Sequence, residues 1–327
     1  MGSTLRMTVS VIVPAYDAAP FLDTALASIA AQSRRPDEVV VVDDGSSDET
    51  AELAGRWQRQ LPLSVVRSPV NVGLGAARRL GIERSTGDRL ALLDADDYWM
   101  PDHLEVLTSL HDRHGGIVTS NSYRWIPGQR LGTVPRQDVV PVPSARDQPR
   151  AIIQRNFVAY ASLFARDGYD RAGGFRTLRA SEDWDLWIRM IRNGERVVGT
   201  PHVTVIYRKR VDSLSSANGC VDADIAILET LLRDVSGEER AFVTTALRHS
   251  RARRELLTGL DAARAGRVQE ARRYWVRAAV ADRSLRRFGH GPRGSVAVRS
   301  LLAFVVPRRA TAWSDARQQD AHHLTRH

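Results

Sequence analysis

Apolar and amphipathic segments alternate through the first hundred residues of the chain. Short continuous apolar runs, typical of strands buried on both faces, occur at 9–13, 38–42, 64–67 and 89–93. Between them, apolar residues recur at helical spacing, and proline or glycine marks helix ends. Four strand–helix alternations predict an α/β fold, with a parallel sheet that carries helices on both faces.

Local signals predict where three helices begin. Ser46 and Glu49 have capping-box spacing for a helix that runs to about Gln60. Another helix is expected to begin at Pro101, and Ser181 is expected to cap a helix over 182–193.

The apolar pattern changes after residue 101. Further predictions are strands at 116–120, 158–164 and 203–208, a long loop or lid over 125–150, and helices from 222 onward.

Carboxylates follow the ends of the predicted strands. Asp94 and Asp96 lie two apart, so in extended backbone they point to the same side. Open α/β sheets bind their ligands at the carboxyl ends of the strands, and two hard oxygen ligands there suit Mg²⁺ or Mn²⁺ bridging a diphosphate. Alone, such a pair is more often a solvated acidic turn. Because Asp17, Asp43 and Asp44 also follow strand ends, we expect the acids to share one edge of the sheet.

Composition narrows the classes of protein that remain. The 327 residues allow one large domain or two smaller ones, and the single cysteine, Cys220, excludes an internal disulfide and a multi-thiolate metal site. That cysteine content suits a cytoplasmic protein. The apolar run near the N-terminus lacks the form of a signal peptide, and the stretch Val296–Val306 is too short to span a bilayer.

Positive charge is concentrated near the C-terminus. Residues 248–317 hold 17 Arg and 5 acidic residues, a net charge of +12 in a chain whose total is +9. An amphipathic, arginine-rich arm suits the cytoplasmic face of an anionic membrane, where the protein would be peripheral. A solvated helical extension packed on the domain explains the charge equally well. Nucleic-acid binding is not expected, because no base-reading module accompanies the charge.

Four motifs then stand in a fixed order along the chain. They are Val-Pro-Ala-Tyr-Asp17, Val-Asp-Asp-Gly-Ser-Ser-Asp48, Leu-Leu-Asp-Ala-Asp-Asp97 and Ser-Glu-Asp-Trp-Asp-Leu-Trp187. Each is weak alone, but the ordered set resembles the family 2 glycosyltransferases of the GT-A fold over residues 8–215. The resemblance implies a nucleotide-sugar-binding half at 1–110, an acceptor-binding half with the catalytic base at 111–215, and a helical, basic extension at 216–327. Within that extension, 256–281 resembles one tetratricopeptide-like hairpin.

The resemblance also assigns roles to residues. Asp183 is implied as catalytic base, Asp96 and Asp94 as ligands of a Mg²⁺ or Mn²⁺ cofactor, and Asp44 as acceptor of a hydrogen bond from the base of the nucleotide. Asp97 is either a further site acid or a helix cap before Pro101. The implied nucleotide-sugar contacts are Pro14, Ala15, Tyr16, Asp17, Asp44, Arg78, Asp94, Ala95 and Asp96. The implied residues of the acceptor or diphosphate loop are Glu182, Trp184, Arg208 and Ser213, with helix-dipole and core-packing roles as alternatives for Glu182 and Trp184.

The implied reaction is transfer of one sugar, with inversion, from a nucleotide-diphosphate sugar, UDP or dTDP by resemblance. The acceptor would be a saccharide, a lipid-linked glycan or a natural-product hydroxyl. The Gln-x-x-Arg-Trp signature of processive members is absent from the sequence. Two other classes stay open: a sugar nucleotidylyltransferase, which would need a glycine-rich basic loop in place of 14–17, and a non-catalytic scaffold, against which Asp94, Asp96 and Asp183 argue.

Overall fold

The structure is a computed structural model that describes residues 7–126, 128, 135–136, 140–209 and 217–281. The chain divides into two compact units between residues 214 and 215. Residues 282–327 of the predicted basic extension, which include the stretch Val296–Val306, lie outside the described residues, as does the loop residue Ser213.

The first unit is built on one sheet, whose described strands number eight. The strands are β1 (Val9–Ala15), β2 (Glu38–Asp43), β3 (Leu63–Arg67), β4 (Arg89–Leu92), β5 (Tyr98–Trp99), β6 (Ile117–Trp125), β7 (Ser162–Ala165) and β8 (Val197–Arg208). Their spatial order is β3-β2-β1-β4-β7-β6-β8-β5.

Helices connect these strands as the alternating pattern predicts. They are α1 (Ala19–Ala30), α2 (Thr50–Arg56), α3 (Leu74–Glu83), α4 (His103–His114), α5 (Gln148–Gln154), α6 (Arg166–Arg171) and α7 (Glu182–Arg192). A core cluster joins the apolar residues of β1 and β2 to the buried side of α1, which includes Leu22, Leu26 and Ile29. Burial of this apolar surface is the main force that holds the helix on the sheet.

Strand direction decides which strand ends share an edge. Strands β1, β2, β3 and β4 are mutually parallel, whereas β7 runs antiparallel to β4 and to β6. Strand β8 is parallel to β6, and it therefore runs in the direction of β4. As a result, β7 begins at the edge of the sheet where β4 and β8 end.

The four-fold alternation is confirmed, whereas several local predictions are wrong. Thr50, not Ser46, starts α2, and its N-terminus has no side-chain cap, because the Ser46 hydroxyl accepts a hydrogen bond from the Asp17 amide instead. The helix after Pro101 begins at His103, and Asp97 does not cap it. The strand predicted over 158–164 covers only 162–165, because a turn occupies the residues before it.

The second unit contains three described helices, α8 (Ala217–Asp234), α9 (Gly237–Arg264) and α10 (Val268–Ala281). Trp275 of α10 packs among Leu256, Ala262, Ala271 and Ala278. Helices α9 and α10 thus form the hairpin whose pattern is visible in the sequence. Among the described helices, none is long and apolar enough to cross a membrane.

Gly81 lies where α3 packs on the sheet. A Cβ atom there would come within 2.6 Å of Ile12 Cγ2 and 2.9 Å of Val42 Cγ2, whereas a Cβ at Gly55 in α2 would meet nothing within 4 Å. We expect Gly81→Ala to lower the free energy of unfolding by about 1–3 kcal/mol through overpacking. Gly55→Ala should instead raise it by up to about 1 kcal/mol through helix propensity. Chemical denaturation of both variants tests this, and equal stabilities would contradict the close packing.

Candidate active site

The predicted acids do gather at one edge of the sheet, because the strands they follow are parallel neighbours. Asp17 follows β1 in a left-handed conformation, with φ at 44°. Its Oδ1 accepts hydrogen bonds from the Ser47 amide at 2.8 Å and the Ser47 hydroxyl at 3.1 Å. A non-glycine residue with this φ is strained, and strain of this kind is frequent at functional sites.

Asp44 is buried, and its carboxylate holds the turn before α3. Its Oδ1 accepts from the Val72 amide at 2.8 Å, and its Oδ2 accepts from the Gly73 amide at 2.9 Å. Gly73 itself has φ at 89°, which favours glycine. The structure thus shows Asp44 shaping the loop; its contact with the base of a nucleotide stays a prediction.

A buried arginine joins the two predicted halves of the site. The Arg78 side chain on α3 is 1% exposed, and its guanidinium donates to Asp94 Oδ1 at 2.6 Å and to Glu182 Oε1 at 2.5 Å. Burial acts to lower the pKa of Arg78, but Asp94, Glu182 and Asp183 raise it above its ordinary value. The predicted direct contact between Arg78 and a nucleotide is therefore not favoured, because this side chain is enclosed by protein.

The acids after β4 have distinct surroundings. Asp97 is buried, its Oδ2 accepts from the Tyr160 hydroxyl, and its Oδ1 accepts from the Arg208 amide at 2.6 Å. Burial, followed by the charges of Asp94 and Asp96, raises the pKa of Asp97 well above its usual range. Asp97 therefore links the segment after β4 to the turn before β7 and to the end of β8, and it is part of the acid cluster.

Asp94 and Asp96 are half-buried, and the intervening Ala95 is buried. No group of three or more described His, Cys, Asp or Glu residues is arranged to hold a metal ion. Two carboxylates with hard oxygen atoms nevertheless fit a divalent cation that completes its shell with water and phosphate oxygens. Three carboxylates, those of Asp94, Asp96 and Asp97, stand within four residues after β4, and this concentration of negative charge favours a cation here.

Asp183 stands in the first turn of α7, as predicted. Ser181, the residue before α7, has φ at 57° and makes no side-chain cap hydrogen bond, so its predicted capping role is wrong. Asp183 Oδ2 accepts from Asn156 Nδ2 at 3.0 Å, and Oδ1 accepts from the Trp184 amide at 2.7 Å. Burial raises the pKa of Asp183, although Arg78 and both hydrogen bonds act to lower it.

Glu182 and Trp184 flank this acid and have structural partners. Burial raises the pKa of Glu182 to about 7, although its ion pair with Arg78 opposes the rise. Trp184 is 5% exposed, and its indole N–H donates to the Ile152 carbonyl at 2.6 Å. This placement favours the core-packing role of Trp184 over a role in the acceptor loop, because a buried indole has no face available to a ligand.

Arg208 ends β8 beside the acids. Its Nε donates to the Asp96 carbonyl at 2.7 Å, and its guanidinium carbon lies 4.6 Å from the Trp125 ring centroid and 5.1 Å from that of Phe21.

The predicted nucleotide contacts at 14–17 differ in exposure. Pro14 and Ala15 are buried in β1, and Tyr16 is 50% exposed. Tyr16, together with the half-buried Asp17, thus has surface available for a ligand.

Two site residues, Asn156 and Tyr160, have no signal in the sequence. They contact Asp183 and Asp97, which lie 27 and 63 positions away in the chain. Both stand in the turn between α5 and β7; Tyr160 falls within the strand predicted over 158–164, and Asn156 lies before it. A loop residue between two elements gives no periodic signal, so only the three-dimensional structure reveals these contacts.

We expect Arg78→Met to lower the free energy of unfolding by about 3–5 kcal/mol, because it leaves buried carboxylates without their cation. The matched variant is Arg79→Met on the same helix, whose side chain is 55% exposed and pairs with Glu83. That change should cost less than about 1 kcal/mol. Denaturant unfolding of both proteins measures the difference, and equal losses would show that the buried ion pairs contribute little.

A family model described as "Glycosyl transferase family 2" matches residues 10–185, more than half of the chain. The amylovoran biosynthesis glycosyltransferase AmsE of Erwinia amylovora is 30% identical over 199 residues, which cover 61% of this chain and 74% of the relative. The succinoglycan biosynthesis protein ExoU of Rhizobium meliloti is 31% identical over 290 residues, 80% of each chain.

Solved structures agree on the fold. Residues 1–349 of S. aureus TarS, in complex with UDP-GlcNAc, superpose with a TM-score of 0.65 at 19% identity, covering 91% of each chain. The mannosyltransferase PcManGT of Pyrobaculum calidifontis, in complex with GDP-Man and Mn²⁺, gives a TM-score of 0.60 at 22% identity and covers 95% of this chain and 84% of its own. This chain spans 43% of a longer TarS structure. The fold is therefore GT-A, and the chain belongs to the family 2 glycosyltransferases.

Proposed function

We propose that this glycosyltransferase transfers one sugar from a nucleotide-diphosphate sugar to a hydroxyl acceptor, with metal assistance and inversion at the anomeric carbon. The observation that carries the proposal is the Arg78 bridge. By pairing with Asp94 on one side and Glu182 on the other, it brings the acids after β4 close to the N-terminus of α7. Donor-side acids and a candidate base are thereby collected in one site.

Asp183 is proposed as the general base. Inversion by direct displacement needs one carboxylate, apart from the diphosphate, that takes the proton of the acceptor hydroxyl as its oxygen attacks the sugar carbon. Asp183 is half-buried and accepts two hydrogen bonds. Because a carboxylate has about four lone-pair positions, it can accept one more hydrogen bond, from the acceptor hydroxyl. Its raised pKa gives it more basicity than a solvated aspartate.

Asp96 and Asp94 are proposed to hold the divalent cation. The resemblance to the family favours Asp96 as the principal ligand, and Asp94 also pairs with Arg78. Such a cation would neutralise charge on the departing diphosphate, so no protein acid is needed to protonate it. Asp17, Tyr16 and Asp44 are proposed to line the nucleotide pocket. The Arg208 guanidinium, held beside Asp96, is proposed to contact the diphosphate.

The donor and the acceptor are proposed by class. A UDP or dTDP sugar is proposed as donor, and the solved relatives carry UDP-GlcNAc and GDP-Man. Two curated relatives are named for the biosynthesis of amylovoran and succinoglycan, which supports a growing saccharide, lipid-linked or free, as acceptor. Action in the cytoplasm, with peripheral contact at an anionic membrane, fits the basic C-terminal sequence.

Donor binding tests the metal assignment. With Mn²⁺ present, one of UDP-glucose, UDP-GlcNAc, dTDP-glucose or GDP-mannose should raise the melting temperature, since a ligand that binds only the folded state stabilises it. We expect Asp96→Asn to abolish the metal-dependent part of the shift. The control Asp167→Asn, whose side chain is 78% exposed on α6, should retain it. An unchanged shift in Asp96→Asn would remove Asp96 from the metal site.

Turnover tests the base. Asp183→Asn should bind the donor as the wild type does and lose about 10²–10⁴-fold in transfer rate, because an amide cannot take the hydroxyl proton. Release of nucleoside diphosphate from the stabilising donor measures this rate, with water or an added saccharide as acceptor. The control Asp170→Asn, exposed on α6, should keep its rate. Full turnover by Asp183→Asn would place the base elsewhere.

A further inference from the structure

The turn between α5 and β7 holds the proposed base through one side chain. Asn156 stands in this turn, and its Nδ2 donates to Asp183 Oδ2 at 3.0 Å. Its own Oδ1 accepts from the Val158 amide at 3.1 Å, so both ends of the amide are engaged. Asn156 cannot rotate its amide without losing both bonds, because the donor and the acceptor would then exchange places.

Arg136 holds the same turn through hydrogen bonds to its backbone. Its guanidinium donates to three consecutive carbonyls, those of Asn156 at 3.2 Å, Phe157 at 3.3 Å and Val158 at 3.4 Å. Phe157 and Val158 are fully buried, which fixes the turn in the core. A turn anchored by apolar burial and by a side chain that bonds three carbonyls keeps Asn156 directed at Asp183.

We infer that Asn156 is a positioning residue for the proposed base: its amide donor fixes the rotation of the Asp183 carboxylate and stabilises its ionised form. The inference rests on the proposed role of Asp183. An N–H that donates to a carboxylate favours the charged form, whereas burial opposes it. The other charged groups that face Asp183 are Arg78, Arg136 and the neighbouring Glu182.

Because Asn156 bonds both the Val158 amide and Asp183, substitutions can separate its role in supporting the turn from its role in holding Asp183. Asn156→Asp keeps an oxygen that accepts from the Val158 amide, but it replaces the donor with a second carboxylate facing Asp183. Asn156→Ser keeps a weaker acceptor for the turn and has no group that reaches Asp183. If Asn156 only supports the turn, Asn156→Asp is the milder change. If it positions and stabilises the ionised base, Asn156→Asp is the more severe one.

The test is a ¹³C NMR titration of the full chain labelled at aspartate side-chain carboxyls, in which Asp183→Asn identifies the signal of Asp183. We expect Asn156→Asp to raise the pKa of Asp183 by about one unit or more, and Asn156→Ser to raise it by less. Asn193→Asp, the same chemical change at the exposed end of α7, is the control and should leave that pKa unchanged. An Asp183 pKa that stays at its wild-type value in the Asn156→Asp and Asn156→Ser proteins would overturn the inference.

Nucleoside diphosphate release separates this inference from the proposed function. The base assignment and the positioning role are both supported if Asp183→Asn loses turnover and if the loss of turnover in Asn156→Asp is smaller at high pH than at neutral pH. A loss in Asp183→Asn with a wild-type pH profile in Asn156→Asp leaves the base assignment and refutes the positioning role. Wild-type turnover in Asp183→Asn refutes the base assignment itself, whatever the titration gives. Melting temperatures of the variants establish that each protein is folded.

Discussion

The site depends on one buried cation, the Arg78 guanidinium. Transferring a charge from water into a protein interior costs several kcal/mol, and only well-placed counter-charges offset that cost. Asp94 and Glu182 provide them, and these residues lie 16 and 104 positions from Arg78 in the chain. The ion pairs therefore fasten α3 to the end of β4 and to the start of α7. Two segments that would carry donor and acceptor chemistry are held together by this charge.

A second connection runs through the turn before β7. Because β7 is antiparallel to β4, it starts at the edge where β4 ends, and the turn that precedes it arrives among the acids. Tyr160 then bonds Asp97, and Asn156 bonds Asp183. Strand β8 ends at the same edge, so Arg208 meets Asp96 and Asp97 there. The antiparallel insertion is what allows the second half of the chain to complete the site.

These connections also explain the unusual acidities. Glu182, Asp183 and Asp97 are each withdrawn from water, so burial raises the pKa of each. Arg78 opposes the effect at Glu182 and Asp183, and hydrogen bonds oppose it at Asp97 and Asp183. Burial and these opposing interactions together leave the carboxylates able to bind a proton or a cation, while each buried carboxylate still has a charged or hydrogen-bonding partner.

The sequence alone determined the α/β alternation, the edge where the acids gather and the placement of Asp183 at a helix N-terminus. Apolar periodicity and parallel strand ends are local or topological features that a pattern reports directly. Sequence patterns left open whether Trp184 packs in the core. They did not predict that Arg78 is enclosed between two acids or that Asp97 bonds Tyr160 instead of capping a helix. No pattern in the sequence indicates that Asn156 and Tyr160 belong to the site. Each of these depends on contacts between segments distant in the chain, and packing in three dimensions alone decides which side chains meet.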